Sequence, residues 1–216
     1  MEKRNAVRHS EVVIFNTPIY RDPFDDGEDY LPPLGQGYIV TSLQQHGIQA
    51  SLVDCVYNKM GIQEVLSFIE SETFQYAGFN VFSVNLEIVR EILCGIKRIL
   101  HIFIGGKATE YVWKEIVSWG TDLPITFIIG EGELIFPHII LGDCLEKPVF
   151  CDSTNCVYRV DQASMYFPEN LDNITIDRNI FRGREILNRY DRLESCIITS
   201  RGCIYDCAFC VGDFFV

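Results

Sequence analysis

Long apolar runs are missing from this sequence: none approaches the roughly 20 residues a helix needs to cross a bilayer, and the run after MEKRNAVRHSE is too short for a signal peptide. Basic runs are missing as well. Lys and Arg number 18 against 30 Asp and Glu, a formal charge of −12, so the chain would repel a phosphate backbone. We therefore expect no membrane span, no nucleic-acid partner and a cytoplasmic location. Without an export signal, the nine cysteines are not expected to form a disulfide framework.

What is present suits a packed core: 48% of the 216 residues are hydrophobic, enough for one domain and part of another. Over residues 1–142, short β-rich runs alternate with amphipathic stretches, the pattern of a parallel sheet covered by helices. EVVIFN, IQASLVDC, YAGFNVF, HIFIGG and ITFIIGEGE read as five strands. The intervening helices are expected over about 35–47, 61–72, 86–99 and 108–119, with a fifth over 134–141. The fold class is thus α/β, with a Rossmann-like five-stranded parallel sheet and helices on both faces.

Such a sheet binds ligands beyond the carboxyl ends of its strands, where loops diverge as the strand order reverses. The loop 17–34, Ser83 with Asn85, Gly105 with Gly106, and the run Gly130, Glu131, Gly132, Glu133 all fall on that edge. Glycine lets a ligand approach the backbone, and a helix N-terminus beyond it offers N–H donors, although glycines there also serve as ordinary turn residues. An FMN phosphate would meet Asp22, Asp25, Asp26, Glu28 and Asp29 in the first loop, opposed only by Arg21. A phospho-receiver would need an Asp where Asn80 stands and a Lys near Glu131. The G-x-G-x-x-G turn of dinucleotide sites does not follow the first strand.

Residues 143–194 break the alternation, KPVFCDSTNCVYRV reading as a hairpin within an inter-domain linker. A β-like run then leads into RGCIYDCAFC, a C-x-x-x-C-x-x-C set. Cys203, Cys207 and Cys210 are candidate iron–sulfur ligands, since a compact loop can bring three thiolates to one face of a cubane and leave a fourth iron open. A zinc site completed from elsewhere, for example by Cys196, is the alternative. Cys55 and Cys94 sit in apolar-periodic segments and read as core residues, while Cys151 and Cys156 could pair or share a metal.

LPPLGQGYIVTSLQQHGIQASLVD, HIFIGGKATEY, FIIGEGE and TSRGC with its cysteine set occur in the order found in cobalamin-binding radical S-adenosylmethionine (SAM) proteins, which the chain resembles. The resemblance implies a flavodoxin-like cobalamin-binding domain over residues 1–142, with Ser83, Gly105 and Gly106 along the nucleotide tail. It puts Gly130, Glu131, Gly132 and Glu133 near the corrin or its tail. It also implies that residues 195–216 begin a radical SAM barrel truncated before most of its length, the rest belonging to a longer parent or to a separate chain. In that family the three cysteines hold a [4Fe-4S] cluster, the open iron binds and reductively cleaves SAM, and Phe209 packs beside its adenine. The usual outcomes are methyl transfer, radical rearrangement or cyclisation on a small-molecule substrate that the sequence does not identify. The Asp-x-His-x-x-Gly motif that supplies a cobalt-ligating histidine in many cobalamin domains is absent, as His9, His46, His101 and His138 lack that context. A non-catalytic cobalamin-binding or interaction module is the other expectation.

Overall fold

Strands that are apolar along their whole length need cover on both faces, and the chain supplies it with alternating helices. The computed structural model describes residues 11–22, 31–182 and 196–198. In order come β1 Val12–Asn16, α1 Leu34–Gln45, β2 Ala50–Asp54, α2 Ile62–Ser71, β3 Tyr76–Asn80, α3 Leu86–Gly95, β4 His101–Gly105, α4 Thr109–Ser118, β5 Ile125–Gly130 and α5 Gly132–Leu141. Two further strands follow, β6 Phe150–Cys151 and β7 Asn155–Val160. No described helix is long and apolar enough to cross a membrane.

The strand order is β2-β1-β3-β4-β5-β7-β6, and all pairs are parallel except β6 with β7. Its first five strands have the flavodoxin-like order, in which the crevice between β1 and β3 is the point of reversal. Side chains alternate along each strand. Val13 and Phe15 of β1 face α2, α3 and α4, where Val65, Ile69, Val89, Ile92 and Ile116 complete a buried layer. Val12 and Ile14 face α1 and α5, packing with Val40, Leu43, Ile135 and Phe136.

The α1–α5 layer contains a helix that ought to be broken. Pro137 lies inside α5 and cannot donate to the carbonyl of Glu133 four residues earlier. The Ser42 hydroxyl of α1 donates to that carbonyl instead, at 2.6 Å. This bond both satisfies the freed acceptor and ties α1 to α5. Phe136, in the same turn, stacks on Phe103 of β4 with ring centroids 4.1 Å apart.

The five-stranded sheet expected from the sequence is thus a seven-stranded one. Residues 150–160 do form a hairpin, but β7 pairs with β5 along six residue pairs, from Ile125 opposite Asn155 to Gly130 opposite Val160. The segment read as linker therefore extends the sheet. Asp152 builds the hairpin turn by accepting from the backbone N–H groups of Thr154 at 2.8 Å and Asn155 at 2.7 Å, which holds its carboxyl below the usual range. Cys151 and Cys156 are directly opposite each other in this register and form a disulfide, with Cα atoms 4.2 Å apart. Further on, Asp177 N–H donates to Thr41 Oγ1 at 2.9 Å, and Phe181 lies against Gly37, so residues 176–181 return to α1.

Two local expectations also change. Helix α3 stops at Gly95 rather than near residue 99, because the inward stripe of Ile88, Val89, Ile92 and Leu93 ends there and Ile99 stands in solvent, 96% exposed. Cys94 is exposed rather than buried, one helical step beyond Leu93. Cys55, by contrast, is fully buried, and burial pushes its thiol well above the ordinary cysteine range, with the neighbouring Asp54 adding to the shift.

Candidate functional site

Strands β1 and β3 run in register from Val12 opposite Tyr76 to Phe15 opposite Phe79, after which their backbones part. Side chains stitch the opening. Thr17 N–H donates to Asn80 Oδ1 at 2.8 Å, and Asn80 N–H returns a bond to Thr17 Oγ1 at 3.2 Å. Asn85, fully buried, accepts from Phe82 N–H at 2.8 Å and donates through Nδ2 to the Asn80 carbonyl at 3.2 Å. The turn after β3 is thereby held against the strand end. Asn85→Ala removes both bonds and leaves Phe82 N–H and the Asn80 carbonyl short of a partner. A loss of about 2 kcal/mol in unfolding free energy is expected, read from urea denaturation.

A cavity of about 300 Å³ opens at this point of reversal, between the carboxyl ends of β1, β3, β4 and β5 and the helices α1 and α5. Its deep wall is apolar, formed by Ile14, Gly78, Phe103, Ile128 and Phe136. Gly78 matters for the room available. A Cβ there would lie 2.6 Å from Ile14 Cδ1, so the strand is kept bare where the wall is tightest. The mouth is polar and carries Gln36, Asn80, Lys107, Glu110 and Glu131. An apolar slot with polar groups at its rim suits a flat aromatic group inside and a larger polar body outside.

The glycines and acids expected at the carboxyl edge come together here under one roof: Gly105, Gly106, Gly130, Glu131, Gly132 and Glu133 all line the cavity. Helix α5 begins at Gly132, two residues earlier than expected, which puts Gly132 and Glu133 in its first turn, where backbone N–H groups lack helical partners. Ser83 stands apart: it is exposed in the turn after β3 and does not line the cavity, whereas its neighbour Phe82 does. Cys203, Cys207, Cys210 and Phe209 lie outside the described residues. Gln36, Lys107, Glu110 and the apolar wall are not among the residues to which the sequence pointed. An isolated glycine inside an apolar strand, Gly78, is the available signal for the wall.

None of the described histidines lines the cavity. His46 and His138 meet on the outer side of α1 and α5, ring centroids 5.1 Å apart, with His138 stacked on Tyr166 at 4.5 Å. His101 lies at the opposite, amino end of the sheet, bonded to Thr126 Oγ1 at 2.9 Å, and burial lowers its pKa. A ligand at the mouth meets amide, carboxylate and backbone groups instead.

No protein-family model matches the chain. It is 26% identical over 194 residues to hopanoid C-3 methylase from Methylococcus capsulatus, an alignment covering 83% of this chain and 36% of that protein. Among solved structures it is similar to the radical SAM methyltransferase TsrM from Kitasatospora setae, determined with cobalamin and a [4Fe-4S] cluster bound, at a TM-score of 0.47 and 16% identity. That superposition covers 62% of this chain and 24% of TsrM. The chain thus spans little more than a third of the methylase. The chain is similar over most of its own length to part of a methylase.

Proposed function

We propose that this chain is the cobalamin-binding and cluster-bearing part of a radical SAM enzyme of the methyltransferase kind, with residues 1–142 forming the core of the cobalamin domain and 195–216 opening the radical SAM domain. The observation that carries the reading is the slot at the point of strand reversal, apolar in its depth and polar at its mouth. Its volume accepts the aromatic base of a nucleotide tail and excludes a corrin, which would rest over the mouth. Ile14, Gly78, Phe103 and Phe136 would hold the base by apolar contact. Backbone groups at Gly105 and Gly106 and the first turn of α5 would meet the sugar and phosphate, as donors at a helix N-terminus favour an anion.

Bound cobalamin supplies a methyl carrier, and the cluster with SAM supplies the radical that activates the substrate. The residues of this chain do the holding. Glu131 and Glu133 line the cavity together with Lys107, so the side chains there carry both signs of charge. No described histidine is placed to reach a metal over the mouth, so this reading gives the cobalt no histidine ligand from the described residues.

Cys203, Cys207 and Cys210 would ligate three irons, with Phe209 beside the SAM adenine. Anaerobic reconstitution with iron and sulfide is expected to give the broad visible absorbance of a thiolate-bound cluster with about four irons per chain, and Cys203→Ala is expected to lose most of it. Equal iron content in parent and variant would end the cluster assignment. A parent that retains hydroxocobalamin through gel filtration yet gains no cluster would point to the non-catalytic binding module.

A further inference from the structure

Cys151 and Cys156 join the strands of a short hairpin, and the backbone holds that hairpin in place without them. On one side β7 is fixed by its six residue pairs with β5. On the other, Val149 N–H donates to the Val157 carbonyl at 2.8 Å and Asp152 N–H donates to the Asn155 carbonyl at 2.9 Å. The Asp152 carboxylate closes the turn by accepting from the N–H groups of Thr154 and Asn155. Register alone therefore sets Cys151 opposite Cys156, and the two sulfurs stay neighbours whether or not they are bonded.

The bond itself adds little to this arrangement. The two cysteines are only 5 residues apart in sequence, and so short a loop has little chain entropy to lose on closure. It also lies within reach of solutes. Both residues of β6 are exposed and Cys156 is half-buried, whereas Cys55 has no exposed surface. An exposed disulfide is of the labile kind, and one whose thiols remain in register after opening can close again without a search.

We propose that Cys151 and Cys156 form a reversible thiol–disulfide exchange site, opened by small dithiols and closed by small disulfides, with Cys151 as the sulfur that is attacked. In opening, one thiolate of the dithiol attacks Cys151 Sγ, the Cys151–Cys156 bond breaks, and Cys156 leaves as a thiolate that takes up a proton. The second thiolate of the reductant then attacks the reductant's own sulfur in the mixed disulfide. Cys151 leaves and is protonated in turn, two electrons have passed to the cysteine pair, and the dithiol departs as its cyclic disulfide. The site is independent of the cobalamin reading, since the cysteines lie toward the amino end of β7 whereas the cavity meets the opposite end, where Gly130 pairs with Val160.

The test equilibrates the full chain, without denaturant, in mixtures of reduced and oxidised dithiothreitol. Free thiols are trapped with N-ethylmaleimide, and the label on the peptide holding both cysteines is read by mass spectrometry. The pair is expected to pass from no label to two in one step, with Cys55 unlabelled throughout and the far-ultraviolet dichroism unchanged. With oxidised glutathione, Cys156→Ser is expected to be glutathionylated at Cys151 at least about 5-fold faster than Cys151→Ser is at Cys156, following their exposure. A pair that stays closed until urea also opens Cys55 to the label is a fixed structural bond and overturns the proposal, as does a reduced pair that oxidised glutathione cannot close. Faster reaction at Cys156 would overturn the choice of Cys151 as the attacked sulfur.

Discussion

Gly132→Leu is expected to weaken hydroxocobalamin binding by at least about 100-fold, close to 2.7 kcal/mol, while leaving the fold intact. The position separates the two effects cleanly. A Cβ at Gly132 would lie 3.6 Å from Ile39 Cδ1 and 3.7 Å from Ile128 Cγ2, both ordinary contacts. The residue opens helix α5 and has no left-handed backbone to protect, so a larger side chain there meets no conformational penalty. The remaining atoms of leucine would enter the cavity that Gly132 lines, the space in which the proposed nucleotide tail would lie. Spectral titration reads the binding, and urea denaturation should place the variant within about 1 kcal/mol of the parent. Undiminished binding by Gly132→Leu would remove the cavity from the site.

Gly130→Ala, two residues earlier, is expected to do the reverse and damage the fold, with a loss of about 3–5 kcal/mol in unfolding free energy. Gly130 has φ +92°, in the left-handed region that favours glycine. An added Cβ would also fall on the carbonyl oxygen of Val160, the acceptor for Glu131 N–H at 3.3 Å. The alanine therefore forces apart the ends of β5 and β7. A variant as stable as the parent would contradict the pairing of Gly130 with Val160, and with it the place of β7 in the sheet. The two glycines share one short run, yet one is required by the backbone and the other leaves room.

That contrast marks the limit of what the sequence discloses. The five βα units are legible because each strand is a short apolar run bounded by polar turns and each helix has an apolar stripe. The β6–β7 hairpin is legible as a hairpin, but its place is not, since β7 joins the sheet through backbone pairing with β5 that no side-chain pattern announces. The carboxyl-edge glycines can be located but not sorted. Spacing puts Gly105, Gly106, Gly130 and Gly132 at one edge, whereas their separate tasks depend on neighbours distant in the chain, such as Val81, Val160 and Ile39. Gln36 gives no signal in the sequence for the same reason: its amide is held by Asn16, on another element. The cysteine set, in turn, can be read from its spacing alone, but residues 199–216 lie outside the described part of the fold.

That this α/β domain holds cobalamin at the carboxyl edge of its sheet is tested most directly by an anomalous-scattering map at the cobalt edge from crystals grown with hydroxocobalamin. One cobalt peak is predicted beyond the carboxyl ends of β1, β3 and β4, with the nucleotide tail between Gly78, Phe103 and Phe136. A cobalt peak at the opposite end of the sheet, beside the groove of Cys94 and Trp119, or crystals that take up no cobalt, would contradict it.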